Sequence, residues 1–564
     1  MRARRSCYQD GVTLESDELI DRARRWLVDD PDPVTRDELR ALLDRLPDSR
    51  DELADRFAGT LTFGTAGLRG PLRAGPNGMN LAVVTQAAAG LVGWLAARGA
   101  SGPLVIGYDA RHGSKAFAEQ TARVATGAGQ PALLLPRPLP TPVLAYAVRR
   151  LDAVAGVMVT ASHNPPQDNG YKVYLGRQLG GPAGAGAQIV PPVDAEIEAA
   201  IRAVGPPSAV PLGEPGKLLD EEIVTSYVTS AAAVVRPDGP RDLRVAYTPL
   251  HGVGAEVLAA SFARAGFPVP DVVAEQAEPD PRFPTVAFPN PEEPGAIDRV
   301  VALAEAIGAD IAIANDPDAD RCAVAVPEPE RGWRRLSGDE LGVLLADHLM
   351  RRGVRGHYAT TVVSSSLLRA MCAARGVGYS ETLTGFKWIV RAATDDVPLV
   401  FGYEEALGYC VAPDHVRDKD GITAALTVAE LAAELKAQGR TLSDRLDEIA
   451  AEFGVYATEQ LSVRVEDLRE IDAAMARIRK KTPATLLGDP VTSVEDLLPT
   501  ADVLILRTGS ARVVVRPSGT EPKLKAYLEV VRDVTDGDLA GARARAAAAL
   551  HALRAETAAA LGIG

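Results

Sequence analysis

Cysteine is scarce: four residues, at positions 7, 322, 372 and 410, with no CxxC pair among 564 positions. That excludes a dense disulfide framework or a cysteine zinc site and fits a reducing compartment, so the expected location is cytoplasmic. A basic excess is also missing. The 61 Lys and Arg stand against 75 Asp and Glu, a formal net charge of −14, which argues against a nucleic-acid surface. Long apolar runs are absent too. Even "LAVVTQAAAGLVGWLAA" carries Thr and Gln and ends at Arg98, and the basic start "MRARRSCYQDG" has no apolar segment behind it. Neither a membrane span nor a signal segment is expected.

What the chain does have is length. At about 150 residues per domain it suggests three to four domains. Residues 15–58 are charged with helical periodicity and read as an N-terminal helical extension, 1–58. From Phe63 the texture becomes that of alternating strand and helix: helix 80–98, strand "PLVIGYD", helix 114–127, strand "PALLL", helix 141–149, strand "VAGVMVT". This α/β domain is expected over 59–210, with a Gly/Pro-rich loop at 176–192. A second α/β unit is expected over 211–335, with strands "LRVAYT" and "DIAIAN". A third, 336–455, has strand "YATTVVSS", helix 366–375, "VPLVFGYEEALGY" and a long helix 420–438. The last, 456–564, mixes several strands with an Ala/Arg-rich terminal helix and reads as α+β.

Chemistry concentrates in short stretches at the ends of these strands, where open α/β sheets bind ligands. "VTASHNPPQDNGYKVY" (159–174) sets Ser162 beside His163. On an extended chain adjacent side chains point to opposite faces, so His163 is expected to be badly placed as a base for Ser162. "NDPDADR" (315–321) puts Asp316, Asp318 and Asp320 in alternation, so that an extended loop presents all three on one side to a hard cation, Mg²⁺ first. An EF-hand fails, because loop positions six and twelve hold Arg321 and Pro327. The other alternative is a solvated acidic turn.

"RPSGTEPK" (516–523) offers Arg516, the hydroxyls of Ser518 and Thr520 and the backbone around Gly519 to a phosphate, with Lys523 and Lys525 close by. Pro-Ser-Gly is also ordinary turn chemistry. "FGTAGLRG" (63–70) is a glycine-rich loop carrying Arg69 but lacks the Gly-Lys-Ser/Thr of a nucleotide loop. "GYEEALGY" places Glu404 and Glu405 after an apolar strand, either to bind vicinal hydroxyls or as helix N-terminal acids. "DHVRDKDG" adds His415, Arg417, Lys419 and Asp420, or is a charged surface loop. Together the stretches describe phosphoryl transfer on a phosphorylated sugar.

In this order, "TASHNP", "DPDADR", the Glu404 loop and "RPSGTEP" resemble the α-D-phosphohexomutases, over nearly the whole chain from Phe63. "QDNGYKVY", "YTPLHGVG", "ETLTGFKWI" and "DKDG" bring it nearest the phosphoglucomutase/phosphopentomutase branch. The resemblance implies a four-domain architecture: three α/β domains with mixed sheets and a C-terminal α+β domain. It implies that Ser162 carries a phosphate and, with Asp316, Asp318 and Asp320, completes the shell of one Mg²⁺. Arg69, His163, Lys172 and Arg321 would position or neutralise the transferring group, with Lys172 or Lys419 as acid or base. Gly385, Phe386 and Lys387 would sense sugar orientation. Glu404 and Glu405, Arg417, and then Arg516, Ser518, Gly519, Thr520 and Lys525 would hold the sugar and its resting phosphate.

The implied activity interconverts a sugar 1-phosphate with its 6-phosphate, or 5-phosphate for a pentose, through a bisphosphate such as glucose 1,6-bisphosphate. Phosphomannomutase is the alternative; Ala406 stands where many members have Ser, and Gly408 and Tyr409 where phosphomannomutase-like and glucosamine-type members close the loop with His, so the resemblance leaves the sugar open. A serine-dependent phosphatase and a non-catalytic phosphosugar binder are the rivals from other classes. The expected partner is a small phosphosugar, with no nucleic acid and no membrane, in a monomer or homodimer.

Overall fold

A computed structural model describes residues 16–64, 67–328, 332–393, 396–465, 467–518 and 523–563. The chain divides into two compact units: Met1–Pro327 with Gly408–Glu430, and Glu328–Leu407 with Leu431–Gly564. The division falls inside the helix Gly421–Ala437.

In the first unit, helices Ser16–Asp29, Pro33–Asp44 and Arg50–Arg56 come first, and their Leu39, Leu42 and Leu53 share a small core with Phe57 and Ala74. The next sheet runs in the order Leu68–Pro71, Asp168–Leu175, Ala155–Val159, Leu104–Tyr108, Ala132–Leu134, Lys217–Leu218. Its central strands are parallel, and Asp168–Leu175 runs antiparallel to Ala155–Val159. Strand Ala155–Val159 is buried at every position, as its unbroken apolar sequence demands. Helix Leu81–Ala97 starts where the Asn80 side chain accepts the Val83 N–H, and it packs Val84, Leu91 and Leu95 against Leu104 and Ile106.

The second sheet orders Ala323–Glu328, Ile311–Ala314, Val245–Thr248 and Asp271–Val272, mixing parallel and antiparallel pairs. Both sheets deliver the chain to the site at the carboxyl ends of parallel strands: Ser162 follows Val159, and Asp316 follows Ala314.

The second unit holds parallel strands Gly378–Thr382, His357–Thr361 and Leu399–Glu404. Beyond them an antiparallel sheet runs in the order Val455–Arg464, Lys523–Arg532, Ala511–Pro517, Leu504–Arg507, Ser493–Asp496. Helices Leu468–Lys480 and Leu539–Leu561 cover that sheet, so the C-terminal domain is α+β.

Several elements differ from expectation, helices Val193–Ala203, Glu222–Ala232 and Leu442–Phe453 among them. Residues Arg177–Gly184 are helical rather than a loop, broken at Gly181 (φ 65°), where the chain turns into Pro182 and starts again. Helix Gly338–Arg351 was not anticipated, although Ser337 and Glu340 form a complete capping box at its start. Among the described residues no helix is long and apolar enough to cross a membrane.

Candidate active site

Ser162 does not sit on extended chain. Its φ is +52°, a left-handed conformation, and its N–H is held by Thr160 Oγ1 at 2.8 Å. At this bend His163 Nδ1 comes within 3.3 Å of Ser162 Oγ, so the opposite-face placement expected of an extended chain does not hold here. Burial, then the nearby Arg321 and Arg69, depresses the His163 pKa well below its usual range, so the ring is neutral at pH 7.

The triad of aspartates also reaches its geometry by another route. Residues 315–320 form a tight turn rather than an extended loop; Ala319 takes φ +53° and donates its N–H to Asp316 O at 2.8 Å. All three carboxylates are fully buried, each offering an oxygen within 4.8 Å of the others. Ser162 Oγ donates to Asp316 Oδ2 at 2.7 Å. Lys172 Nζ donates to Asp318 Oδ2 at 2.8 Å and Asp320 Oδ2 at 3.0 Å. Asp318 Oδ1 and Asp320 Oδ1 have no hydrogen-bond partner although both are buried. Buried acceptors left over on two of three convergent carboxylates fit a hard divalent cation with oxygen ligands.

The charges around this centre explain the titration of its members. Burial and the two neighbouring carboxylates push Asp316 well above the ordinary aspartate range. Burial works the same way on Asp318, but the Lys172 ammonium outweighs it and holds that carboxyl down. For Lys172 burial opposes the charge, and Asp318 and Asp320 more than restore it, so the amine stays protonated.

Arg69 Nη1 donates to Asn164 Oδ1 at 3.1 Å, on the same loop as Ser162. The Arg321 N–H is taken by Asp316 Oδ1, and its guanidinium lies 3.6 Å from Glu292. The return segment brings Lys419 Nζ to 3.4 Å from Asp320 Oδ2 and 3.8 Å from Asp418 Oδ1. Arg417 is half-buried on that segment.

Sequence reasoning missed two contributors here. Thr141 Oγ1 donates to Asp318 Oδ2 at 2.6 Å from the first turn of helix Thr141–Arg150. Asp418 accepts from Tyr174 and Gln188, which fixes the backbone beside Lys419. The "DKDG" stretch carried a signal for Asp418, whereas an isolated Thr after Pro140 carried none.

In the second unit Glu404 ends strand Leu399–Glu404, and residues 405–407 form a turn, which removes the helix N-terminal alternative. Glu405 Oε2 accepts from Thr361 and Ser364 hydroxyls at 3.2 and 3.1 Å, a bracing of the loop. Gly385 takes φ +113° and leads into the single turn Phe386–Ile389, on which Lys387 is half-buried. Arg516 and Lys525 face each other directly across two antiparallel strands. Like charges in that register repel unless an anion lies with them. The Ser518 N–H donates to Lys523 O at 2.8 Å, closing the hairpin end. Gly519 and Thr520 lie outside the described residues.

With this geometry in place, comparison with known proteins is specific. Residues 60–206, 225–331 and 337–453 match "Phosphoglucomutase/phosphomannomutase, alpha/beta/alpha" domains I, II and III, and residues 461–546 match the C-terminal domain of the same family. A "Probable phosphomannomutase" of Haemophilus influenzae is 46% identical over 470 residues, 82% of this chain and 95% of that protein. Phosphopentomutase of Mus musculus is 33% identical, covering 92% of each. Among solved structures, a "putative phosphomannomutase" of Thermus thermophilus aligns at TM-score 0.67 and 26% identity over 87% of this chain and 99% of that one.

Proposed function

This chain belongs to the phosphoglucomutase/phosphomannomutase family and is a phosphosugar mutase, an isomerase; from that premise we propose that Ser162 carries the phosphoryl group and that the substrates are glucose and pentose phosphates. The observation that carries the reading is Ser162 Oγ at 2.7 Å from a carboxylate of a buried aspartate triad that shares two members with Lys172.

Asp316, Asp318 and Asp320 would hold Mg²⁺, on which this family depends, together with a phosphoserine oxygen. The ion supplies charge neutralisation for the transferring oxygens. The rest is done by this chain's own side chains. In the first half-reaction the Oγ–P bond of phosphoserine breaks and a new O–P bond forms at the free sugar hydroxyl. The proton of that hydroxyl passes to neutral His163, and Lys172, already an ammonium, donates one to the departing Ser162 oxygen. The sugar bisphosphate then turns end for end. In the second half-reaction Ser162 attacks the other phosphate, its proton returns to Lys172, the sugar O–P bond breaks, and His163, beside the serine, gives its proton back to the departing sugar oxygen. Lys419 is the alternative acid or base, since it lies against Asp320. Arg69 and Arg321 offset charge on the moving group.

Glu404 would bind sugar hydroxyls, with Glu405 bracing the loop and Gly385, Phe386 and Lys387 distinguishing sugar orientation. Arg516, Ser518 and Lys525, with Gly519 and Thr520, would hold the phosphate at rest, and Arg417 would bind substrate. On the proposed boundaries, close to residues 58, 210, 335 and 455, each of four domains carries one of these loops. A bisphosphate such as glucose 1,6-bisphosphate would prime the serine.

The second reading, phosphomannomutase, is favoured by the 46% identity to the Haemophilus protein. A side-by-side assay of glucose 1-phosphate, ribose 1-phosphate and mannose 1-phosphate, primed with bisphosphate, decides between them. Fastest turnover of mannose 1-phosphate sinks the glucose and pentose assignment. Release of inorganic phosphate without sugar 6-phosphate sinks the serine-carrier mutase mechanism.

A further inference from the structure

Arg111 stands in "GYDARH", just past strand Leu104–Tyr108, and it is buried. Its Nη2 donates to Ser162 O at 2.6 Å and Asn164 O at 2.5 Å, and its Nη1 to Pro165 O at 2.8 Å and Asp168 O at 3.2 Å. One guanidinium thus gathers four carbonyl oxygens of the loop that presents Ser162. Asp109 balances the charge, with its carboxylate 3.5 Å from Nε, and is itself held by the Arg111 N–H and Ser114 Oγ. The guanidinium also lies over the Phe283 ring, 4.9 Å from its centroid, which ties the loop to the segment after strand Asp271–Val272.

Four carbonyls turned toward one buried point repel each other unless a cation with several directed donors occupies it. Arginine's planar fork meets that need, and lysine's compact ammonium does not. Ser162 requires such an anchor because a non-glycine residue at φ +52° persists only where its surroundings over-determine it. Its N–H is fixed by Thr160 and its C=O by Arg111, leaving Oγ aimed at Asp316.

We infer that Arg111 is a positioning residue for phosphoryl transfer: it grips the Ser162 loop by its carbonyls and so sets Oγ at the aspartate triad. The inference rests on Ser162 being the phosphate carrier. Arg111 hydrogen-bonds backbone oxygens of the loop, so its action reaches the chemistry through Ser162.

The test compares Arg111→Lys with the parent chain in Mg²⁺, each checked for folding by circular dichroism. Expected is a kcat lower by about 10²-fold, the loss that a misplacement of about 1 Å brings, with KM within about threefold. Transfer of phosphate from glucose 1,6-bisphosphate to Ser162, followed by intact mass, slows in proportion. Phe283→Leu keeps every donor and strips only the ring face, and a several-fold fall in kcat at unchanged KM is expected. Arg111→Lys with kcat within about threefold of the parent, or with the loss confined to KM, overturns the inference. Should that variant fail to fold, Phe283→Leu decides, and unchanged kcat overturns it. A parent chain whose Ser162 takes no phosphate overturns the carrier reading and this inference together; a phosphorylated parent matched by Arg111→Lys refutes the role of Arg111 alone.

Discussion

Lys172 Nζ stands 2.8 Å from Asp318 Oδ2, in a place where burial alone would lower the pKa of an ammonium. The pair is a stored charge balance: one cation from the strand Asp168–Leu175 already compensates two of the three carboxylates that would hold the metal. Lys172→Gln removes that compensation. Mg²⁺ affinity is expected to rise at least about tenfold, since like charges about 4 Å apart repel by several kcal/mol at intermediate dielectric, while kcat falls by about 10²- to 10⁴-fold with the loss of the proton donor. Calorimetry and a coupled assay read the two effects. Unchanged or weaker Mg²⁺ binding would show that Lys172 does not shield the triad.

Binding of the ion to the folded triad stabilises the fold by mass action, about 2.7 kcal/mol at a hundredfold excess over Kd. The thermal midpoint should therefore rise with Mg²⁺ and fall on chelation. Asp320→Asn should remove most of that response. A midpoint that rises equally in the variant would place the ion elsewhere.

Asp339 gives the second unit a pH-dependent component of stability. Burial, with Glu405 and Glu529 nearby, pushes its carboxyl up to about 7, against hydrogen bonds from the Ser365 N–H and the Tyr403 hydroxyl. The folded chain keeps a proton there that the unfolded chain has released, so this group's contribution is full below about pH 4 and is lost as pH rises through about 7. Asp339→Asn keeps Oδ1 as an acceptor and no longer titrates. Its unfolding midpoint should decline less than the parent's between about pH 5 and 7.5. Parallel declines would contradict a protonated Asp339.

Gly338 underlies the turn at Glu405, the proposed sugar loop. A Cβ at this position would lie 1.8 Å from Glu405 O, a clash with backbone that only a shift of the loop relieves. Gly338→Ala is expected to raise KM for the sugar phosphate about tenfold, the cost of losing one hydrogen bond to a charged group. Mg²⁺ affinity should not change, because the triad belongs to the other unit. An unchanged KM would detach this loop from substrate binding.

Much of the site was legible because its members lie in short contiguous runs at strand ends. Asp316, Asp318 and Asp320 advertise a cation within five residues, and Arg516 with Lys525 an anion within ten. The rest depended on conformations that residue type does not encode. The left-handed Ser162 brings His163 to its hydroxyl, and the left-handed Ala319 makes the acidic run a turn. Other contacts join residues remote in sequence, such as Thr141 to Asp318 and Arg111 to the Ser162 loop. The helix Gly338–Arg351 was legible in principle, since its Ser337–Glu340 capping box is a local pattern.

The most direct test incubates the chain with glucose 1,6-bisphosphate and Mg²⁺ and maps any phosphate by peptide mass spectrometry. The account predicts one phosphate, on Ser162, lost together with sugar-phosphate interconversion in Ser162→Ala while substrate binding survives. Interconversion by Ser162→Ala at the parent's rate, or a phosphate mapped to another residue of an active chain, would contradict it.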